Sequence, residues 1–300
     1  MPELPEVETT VLGLRSRVVG LTIRDFWCDH TRMIRYISPD SLGKQIKNAK
    51  IIGVRRRAKN ILVDLSGGLT LVIHMKMTGH LLYGKWQMLN GKKLKVKSWV
   101  ADEKGPLRDD PYNRFVHVVF CLSNGKHIAF CDMRKFGKIA LHKTSSLHTA
   151  KELVDLGPEL WEINAKKFIE IFRSKKSGKI KQALLDQTIL AGVGNIYSDE
   201  GLWSSGIHPL SQPAKIPNTK LGELFRALVK ITKQSLKIGG DSMSDYRNID
   251  GVGGRFQNSH KAYRQTGQKC GKLDCRGIIK RMVIGGRGSH FCPNHQKFYA

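Results

Sequence analysis

The feature that most constrains how this chain can fold lies at its far end. Residues 270–295 read Cys270-x4-Cys275-x16-Cys292-x2-His295. Two pairs of thiolate or imidazole donors, separated by a short β-like hairpin, form the ligand set of a closed tetrahedral Zn2+ site. The span 271–300 is too short to bury a core of its own, so metal binding must supply its folding energy, roughly 10–16 kcal/mol for structural zinc. The spacing predicts a zinc finger over 262–300, with one structural Zn2+ held by Cys270, Cys275, Cys292 and His295. Arg287 sits at the hairpin turn Gly285-Gly286-Arg287-Gly288, where a guanidinium suits a groove or a phosphate. The remaining cysteines, Cys28, Cys121 and Cys131, are scattered and read as buried thiols.

Ahead of the finger the chain changes character once. Residues 1–147 read mainly as β. Short β-branched runs recur at Ile51–Val54, Ile61–Val63, Leu69–Met77, Phe115–Leu122 and Lys126–Phe130, and turn signals such as Ser66-Gly67-Gly68 and Ser123-Asn124-Gly125 part several of them. One helix at about 3–18 precedes them, and the pattern fits a β-sandwich or barrel. The polar stretch 90–113 reads as a long loop or insertion. After Leu156-Gly157-Pro158 the periodicity is helical, over 165–174, 180–185, 196–205 and 221–238. Residues 240–268 are polar and Gly-rich, a flexible linker or a functional loop. The fold class is thus α+β and multidomain: a β domain over 1–147, a helical domain over 148–261 and the finger.

Charge narrows the partner. Fifty-one Lys and Arg face 25 Asp and Glu, a net charge of +26. Such an excess displaces counterions from a polyanion, and nucleic acid is the economical choice. No basic amphipathic helix with a clean apolar face favours a membrane surface, no apolar run reaches the ~20 residues that span a bilayer, and the acidic N-terminus lacks a secretory h-region. The expectation is a soluble cytoplasmic protein.

Several constellations carry chemistry. The chain begins Met1-Pro2-Glu3-Leu4-Pro5-Glu6. Removal of Met1 would free the Pro2 amine, a nucleophile toward an aldehyde-like carbon, and an α-amino pKa of roughly 7.7–8.0 leaves part of it unprotonated near neutrality. Glu3 and Glu6 share a helix face at i, i+3; equally, carboxylates suit any helix N-terminus. Ala191-Gly192-Val193-Gly194-Asn195 is either an anion site ahead of a helix or a plain helical turn. Arg55-Arg56-Arg57-Ala58-Lys59 is a basic run beside a strand, a pattern most often solvated. His74 and Met77 flank a turn. Arg134-Lys135-Phe136-Gly137 sets an aromatic beside a cation, which suits insertion into a base stack or ordinary packing.

Taken together and in order, these segments resemble the Fpg/Nei family of bifunctional DNA glycosylases, and the formamidopyrimidine-DNA glycosylase branch most closely. The resemblance rests on Pro2–Thr9, Arg56–Lys59, Ile73–Gly79, Asp132–Gly137, Leu156–Glu159, the stretch from Asp186-Gln187 through Gly206–Pro209, Gly239-Gly240, Asp245-Tyr246 and the finger. It implies an N-terminal helix and β-sandwich, then a helix–two-turn–helix domain with a zinc finger, and damaged double-stranded DNA held in the cleft between the halves by a monomer associated with the nucleoid. Pro2 would attack C1′ and expel the base, Glu3 would act as acid/base partner at the sugar, and Glu6 would support it. Lys59 would serve β-elimination and Arg287 δ-elimination, leaving a one-nucleotide gap.

The resemblance further assigns Met77, Arg134 and Phe136 to the void left by the flipped base. His74, Lys176 and Asn195 fall at phosphate-side positions, and Lys181 lies close to the same strand. The polar segment 239–257 matches the loop that closes over the everted base, whose extrusion costs a few kcal/mol. Three departures stand out. The finger has C-x4-C and a final His295 where the family has four cysteines in two C-x2-C pairs; Phe115 replaces a histidine; and the 90–113 insertion has no assigned role. The alternatives are the Nei-like branch acting on oxidised pyrimidines, and a catalytically silent zinc-dependent DNA-binding protein.

Overall fold

The computed structural model describes residues 1–89, 98–243 and 245–300. They form two compact units, Met1–Val154 with Ile238–Arg255, and Asp155–Lys237 with Phe256–Ala300. The chain thus leaves the first unit, builds most of the second, and returns before completing it.

In the first unit, α1 (Leu4–Val18) is followed by β1 (Ile23–Cys28), β2 (Ile34–Arg35), α2 (Pro39–Ile46), β3 (Ile51–Arg57), β4 (Asn60–Leu65), β5 (Leu69–His74) and β6 (His80–Gly84). Then come β7 (Trp86–Leu89), β8 (Ser98–Ala101), α3 (Pro106–Asp109), β9 (Val116–Leu122), β10 (His127–Cys131) and β11 (Lys138–Lys143). A four-stranded sheet has the order β1-β9-β10-β6, and a five-stranded sheet the order β2-β11-β5-β4-β3. Their inward residues share one core: Val54, Ile61, Val63 and Ile73 from one sheet, Leu81, Val118, Phe120 and Phe130 from the other. This is the expected sandwich. Helix α1 adds Val7, Val11, Leu14 and Val18 to the same core, a stripe at the 3–4 spacing of one helix face. Each such side chain contributes about 1.5–3 kcal/mol when fully buried.

The four-stranded sheet is apolar on its other face too. Leu82, Val116, Val119 and Ala129 pack there against Trp86 and Ala101, with Trp27, Trp99 and Leu107 around them. That double burial explains the largely apolar run Phe115–Leu122, interrupted only by His117. It also corrects the reading of 90–113 as a loop. Strand β8 pairs with β7, Trp86 opposite Ala101 and Met88 opposite Trp99, and the hairpin covers the sheet. Residues 90–97 of that stretch lie outside the described residues. Cys131 is buried as expected, whereas Cys28 and Cys121 are only half-buried; burial pushes both of these thiols up to about 11.

The polar segment 240–268, which reads as a flexible linker or a functional loop, is packed in part. It is not a flexible linker in its first half. Tyr246 and Ile249 join the sandwich core. Ile249 lies against α1 so closely that a Cβ on Gly13 would meet it at 2.9 Å. The Ile249 carbonyl also accepts from the Tyr83 amide at 2.8 Å. Two apolar side chains in a polar stretch thus help to anchor it.

The second unit contains α4 (Ala165–Arg173), α5 (Ile180–Leu185), α6 (Asn195–Ser205), α7 (Asn218–Lys237) and the hairpin β12 (Lys280–Ile284)–β13 (Arg287–Phe291). Asn164 caps α4 by accepting from the Lys167 amide at 2.9 Å. Helix α6 runs close to α7: a Cβ on Gly201 would lie 2.5 Å from Leu228 Cδ2. It ends at Gly206, whose φ of 70° suits the left-handed stop of a helix. The hairpin borrows its core from α6, where Trp203 packs with Ala262, Cys270, Ile279 and Cys292. The finger therefore belongs to the same compact unit as the helices. Among the described residues, no helix is long and apolar enough to cross a membrane.

A buried histidine makes the first unit sensitive to acid. His80 is 1% exposed and its Nε2 lies 3.0 Å from Asn113 Oδ1. Burial pushes its pKa down to about 4, against roughly 6.5 in an unfolded chain. Between those values the unfolded state binds the extra proton. Stability from this site is therefore full above about pH 6.5 and is lost as pH falls toward 4, by up to about 3 kcal/mol. His80→Gln, which can still donate to Asn113, should lessen the pH dependence in urea titrations followed from pH 7 to 4, the share of His74, also lowered by burial, remaining. A variant as acid-sensitive as the parent would show that His80 is not the responsible group.

Candidate active site

The N-terminal residues are folded into the protein. Pro2, Glu3 and Glu6 are all buried. Glu3 is the N-cap of α1, and a capping box joins it to Glu6, with the Glu3 amide donating to Glu6 Oε2 at 2.7 Å. The other oxygen, Oε1, accepts from the Asp241 amide at 2.8 Å. Tyr246 Oη donates to the Glu6 carbonyl at 2.9 Å. A Cβ on Gly240, at a φ of 85°, would strike Glu6 Cγ at 2.9 Å. The sequence feature Gly239-Gly240 thus has a local cause: the backbone must turn left-handed directly against a buried carboxylate.

Lys59 follows Ala58, a non-glycine residue held at a φ of 52°. That turn is braced by Arg56, whose Nη1 donates to the Ala58 carbonyl at 3.0 Å and whose Nε pairs with Glu8 at 2.7 Å. Arg55 pairs with Asp64 at 2.8 Å. The basic run is therefore not a solvated tract. Arg55 and Arg56 are tied down by carboxylates, and Lys59 itself is only 5% exposed.

Nearby, His74 Nδ1 accepts from the Lys76 amide at 2.9 Å, which leaves the ring proton on Nε2. Burial, with the Lys76 and Lys59 cations adding, pushes its pKa down to about 3, so the neutral ring offers Nε2–H as a donor. His74 lines a cleft of about 300 Å3 with Arg35, Lys76, Lys138 and Lys151. Four cations and a neutral donor, against the one carboxylate of Glu152 in the lining, leave it net positive.

Met77, Arg134 and Phe136 converge on one exposed patch. Arg134 Nη1 lies 3.3 Å from Met77 Sδ, and its guanidinium sits 4.6 Å from the Phe136 ring centroid. The loop is shaped by Asp132, which is fully buried. Its carboxylate accepts from the Thr78 hydroxyl, from the Arg134 amide at 3.2 Å and from the Gly137 amide at 2.7 Å. Phe136 is 44% exposed and Met77 39%. Two large apolar side chains held in solvent are available for insertion rather than for the core.

In the second unit, the 191–194 turn is organised by Gln187, whose Oε1 accepts from the Gly192 amide at 3.0 Å and whose Nε2 donates to the Val193 carbonyl at 2.8 Å. Asn195 opens α6 and donates to the Gly288 carbonyl at 3.0 Å. Its Oδ1 is buried without a hydrogen-bond partner among the described residues. Lys176 is exposed, as is Arg287 at the hairpin tip.

Lys181 is placed differently from the expectation of a strand contact. It is fully buried, and its ammonium donates to the Asn195 carbonyl at 3.0 Å, Ser198 Oγ at 2.6 Å and Asp199 Oδ1 at 2.6 Å. Three donors meet three acceptors, leaving none for a phosphate. Asp199 also accepts from Ser289 Oγ at 2.8 Å and from the His290 amide and Nδ1, each at 2.9 Å. Lys181 and Asp199 therefore seat the hairpin on α6. Nothing in the local sequence separates such a buried lysine from a surface one.

The ligand atoms of Cys270, Cys275, Cys292 and His295 all lie within 4.8 Å of one another. Cys270 Sγ is 3.2 Å from His295 Nδ1, and Cys275 Sγ is 3.6 Å from Cys292 Sγ. The opposite ring nitrogen of His295 meets the Trp203 carbonyl at 2.9 Å. That bond puts the proton on Nε2 and leaves Nδ1 as the donor atom toward a metal. Trp203 Nε1 and the Gly277 amide donate to Cys270 and Cys275 at 3.3 and 3.4 Å. The four residues fit one structural Zn2+, which would cross-link the two ends of the finger.

Comparison with known proteins agrees with this geometry. Residues 1–139 match the formamidopyrimidine-DNA glycosylase N-terminal domain, 156–247 its H2TH domain, and 267–294 a zinc finger found in FPG and IleRS. The chain is 35% identical over 297 residues to a formamidopyrimidine-DNA glycosylase of Solibacter usitatus, covering 99% of this chain and 100% of that one. It is 34% identical to the enzyme of the same description from Pelotomaculum thermopropionicum, covering 99% of each. The Lactococcus lactis Fpg bound to abasic-site DNA superposes with a TM-score of 0.81 at 30% identity, over 97% of this chain and 98% of that one. A MutM complex with DNA containing carbocyclic 8-oxo-G gives a TM-score of 0.80 at 30% identity, with the same coverage.

The zinc site yields a direct prediction. His295→Cys should keep one zinc per chain by metal analysis. His295→Ala should lower zinc retention against a chelator at least tenfold and expose the 270–292 amides to exchange, because folding of this segment is linked to the metal. Undiminished zinc retention in His295→Ala would remove His295 from the ligand set.

Proposed function

Because the chain belongs to the formamidopyrimidine-DNA glycosylase family, we propose that it repairs double-stranded DNA by excising oxidised purines, 8-oxoguanine and formamidopyrimidines, and by cleaving the abasic strand through β,δ-elimination. The observation that carries the reading is the buried Pro2-Glu3-Glu6 constellation at the start of α1, bonded to the Gly240–Tyr246 segment. A monomer bound to chromosomal DNA would reside in the cytoplasm with the nucleoid.

With Met1 removed, the Pro2 amine attacks C1′ of the damaged nucleotide. The glycosidic C–N bond breaks and the base departs with a proton, leaving an iminium between Pro2 and the opened sugar. Glu3 exchanges the protons at the sugar, and Glu6 holds Glu3 in place through its amide. Lys59 serves the loss of the C2′ proton, which expels the 3′ phosphate as the C3′–O bond breaks. Arg287 serves the second elimination, which breaks C5′–O, and water then releases Pro2. His74, Lys176 and Asn195 hold phosphates. Met77, Arg134 and Phe136 fill the space of the everted base, Arg134 facing the orphaned cytosine, which offsets part of the unstacking cost. Zinc plays no chemical part and keeps the Arg287 hairpin folded.

Borohydride reduction in the presence of a duplex with 8-oxoguanine opposite cytosine tests this. The parental protein should give a covalent adduct that mass spectrometry maps to Pro2, and Pro2→Gly should lower single-turnover excision by at least 100-fold. Parental excision by Pro2→Gly would refute the N-terminal nucleophile, and an adduct formed only on oxidised pyrimidines would move the protein to the Nei-like substrate range.

A further inference from the structure

The stretch after β8 makes contacts that its polar composition does not announce. Asp110 Oδ2 accepts from Arg247 Nε at 2.7 Å, in a pair whose side chains are 23% and 11% exposed. The guanidinium of Arg247 also lies over the Tyr112 ring, 4.6 Å from its centroid. Three residues further on, Asn113 is fully buried. Its Nδ2 donates to the Gly251 carbonyl at 3.2 Å and to the Pro106 carbonyl at 2.8 Å, and its Oδ1 meets His80 Nε2. Gly251 stands at a φ of 79°, and a Cβ there would come 2.6 Å from Asn113 Nδ2 and 2.9 Å from the Leu107 amide. The 247–251 backbone is thus pressed onto residues 106–113 with no room for a side chain.

The same backbone is tied on its other side to the N-terminal helix. Arg247 Nη1 donates to the Tyr246 carbonyl at 2.9 Å, and Ser242 Oγ donates to that carbonyl at 2.7 Å. Tyr246 Oη donates to the Glu6 carbonyl, and the Asp241 amide to the Glu6 carboxylate. An unbroken run of bonds therefore leads from Asp110 through Arg247 and Tyr246 to Glu6. Coupling of this kind travels through contiguous bonded groups with little freedom to rearrange separately.

We propose that Asp110 and Asn113 are positioning residues for lesion excision: they fix Arg247 and Gly251 and so hold the 239–251 segment in place against Glu6. This rests on the reading above that the segment covers the everted base. The geometry separates two activities. A nucleotide carrying a damaged base needs the covering segment, whereas a preformed abasic site has no base to cover and needs only the amine, the acids and the phosphate contacts. Residues 102–113 therefore supply a clamp, and the hairpin before them anchors that clamp to the sheet.

The test uses the full-length zinc-loaded protein with Asp110→Asn and, separately, Asn113→Ala. Asp110→Asn removes the charge and keeps the shape. Single-turnover excision of 8-oxoguanine opposite cytosine should fall 10- to 30-fold, while cleavage of the same duplex with a preformed abasic site should stay within about twofold. Asp110→Glu should recover part of the loss. Hydrogen exchange at the 240–251 amides should quicken in both variants while β9 and β10 stay protected. Unchanged protection of 240–251 overturns the clamp whether or not the parent is active on 8-oxoguanine. Equal loss of both activities, or parental excision in both variants, overturns it as well. A parent that cleaves abasic sites but leaves 8-oxoguanine untouched would instead count against the substrate assignment, and the exchange measurement would still decide the clamp.

Discussion

Much of the first unit depends on one buried carboxylate. Glu6 accepts from the Glu3 amide with one oxygen and from the Asp241 amide with the other. Hydrogen bonds to a charged acceptor are worth about 1.5–3 kcal/mol each, and a carboxylate this deeply buried would be costly without them. The same group therefore fixes the N-cap of α1, the orientation of the residue beside Pro2, and the entry of the 239–251 segment. Helix N-terminus and covering segment thus meet at a single carboxylate, each on its own oxygen.

A second buried charge organises the other unit by different means. Lys181 and Asp199 are both fully buried and pair at 2.6 Å. Burying such a pair is favourable only when every remaining donor and acceptor is used. Here they are used on Asn195, Ser198, Ser289 and His290. The result joins the helix that starts at Asn195 to the strand that follows Arg287. Zinc and the ion pair divide the work: the metal closes the finger, and the pair docks it on α6. Arg287 itself is exposed.

The covering of the four-stranded sheet shows how architecture can hide in composition. Val119, Ala129 and Leu82 face away from the main core yet are buried. Among the described residues, the β7–β8 strands, Leu107 and Trp27 pack over that face. Residues 102–113 are mostly charged or small, and their contributions are specific contacts, Asp110 to Arg247 and Asn113 to Gly251. Polar residues that satisfy distant backbone leave no periodicity to read.

The sequence by itself determined the parts whose chemistry is local. The Cys270–His295 spacing, the Pro2–Glu6 opening, the sandwich strands and the four helices of the second unit follow from ligand spacing, side-chain type and periodicity, all carried by residues close together in the chain. Tertiary structure alone decided the rest. It buried Lys181 on Asp199, turned the basic run at Arg56 into a brace for Lys59, and brought the 239–251 segment back to Glu6. It also gave residues 102–113 a partner more than a hundred positions away. Each depends on where a long-range neighbour lies, and a buried charge or an isolated Asn looks the same in sequence as a solvated one until its partner is in place.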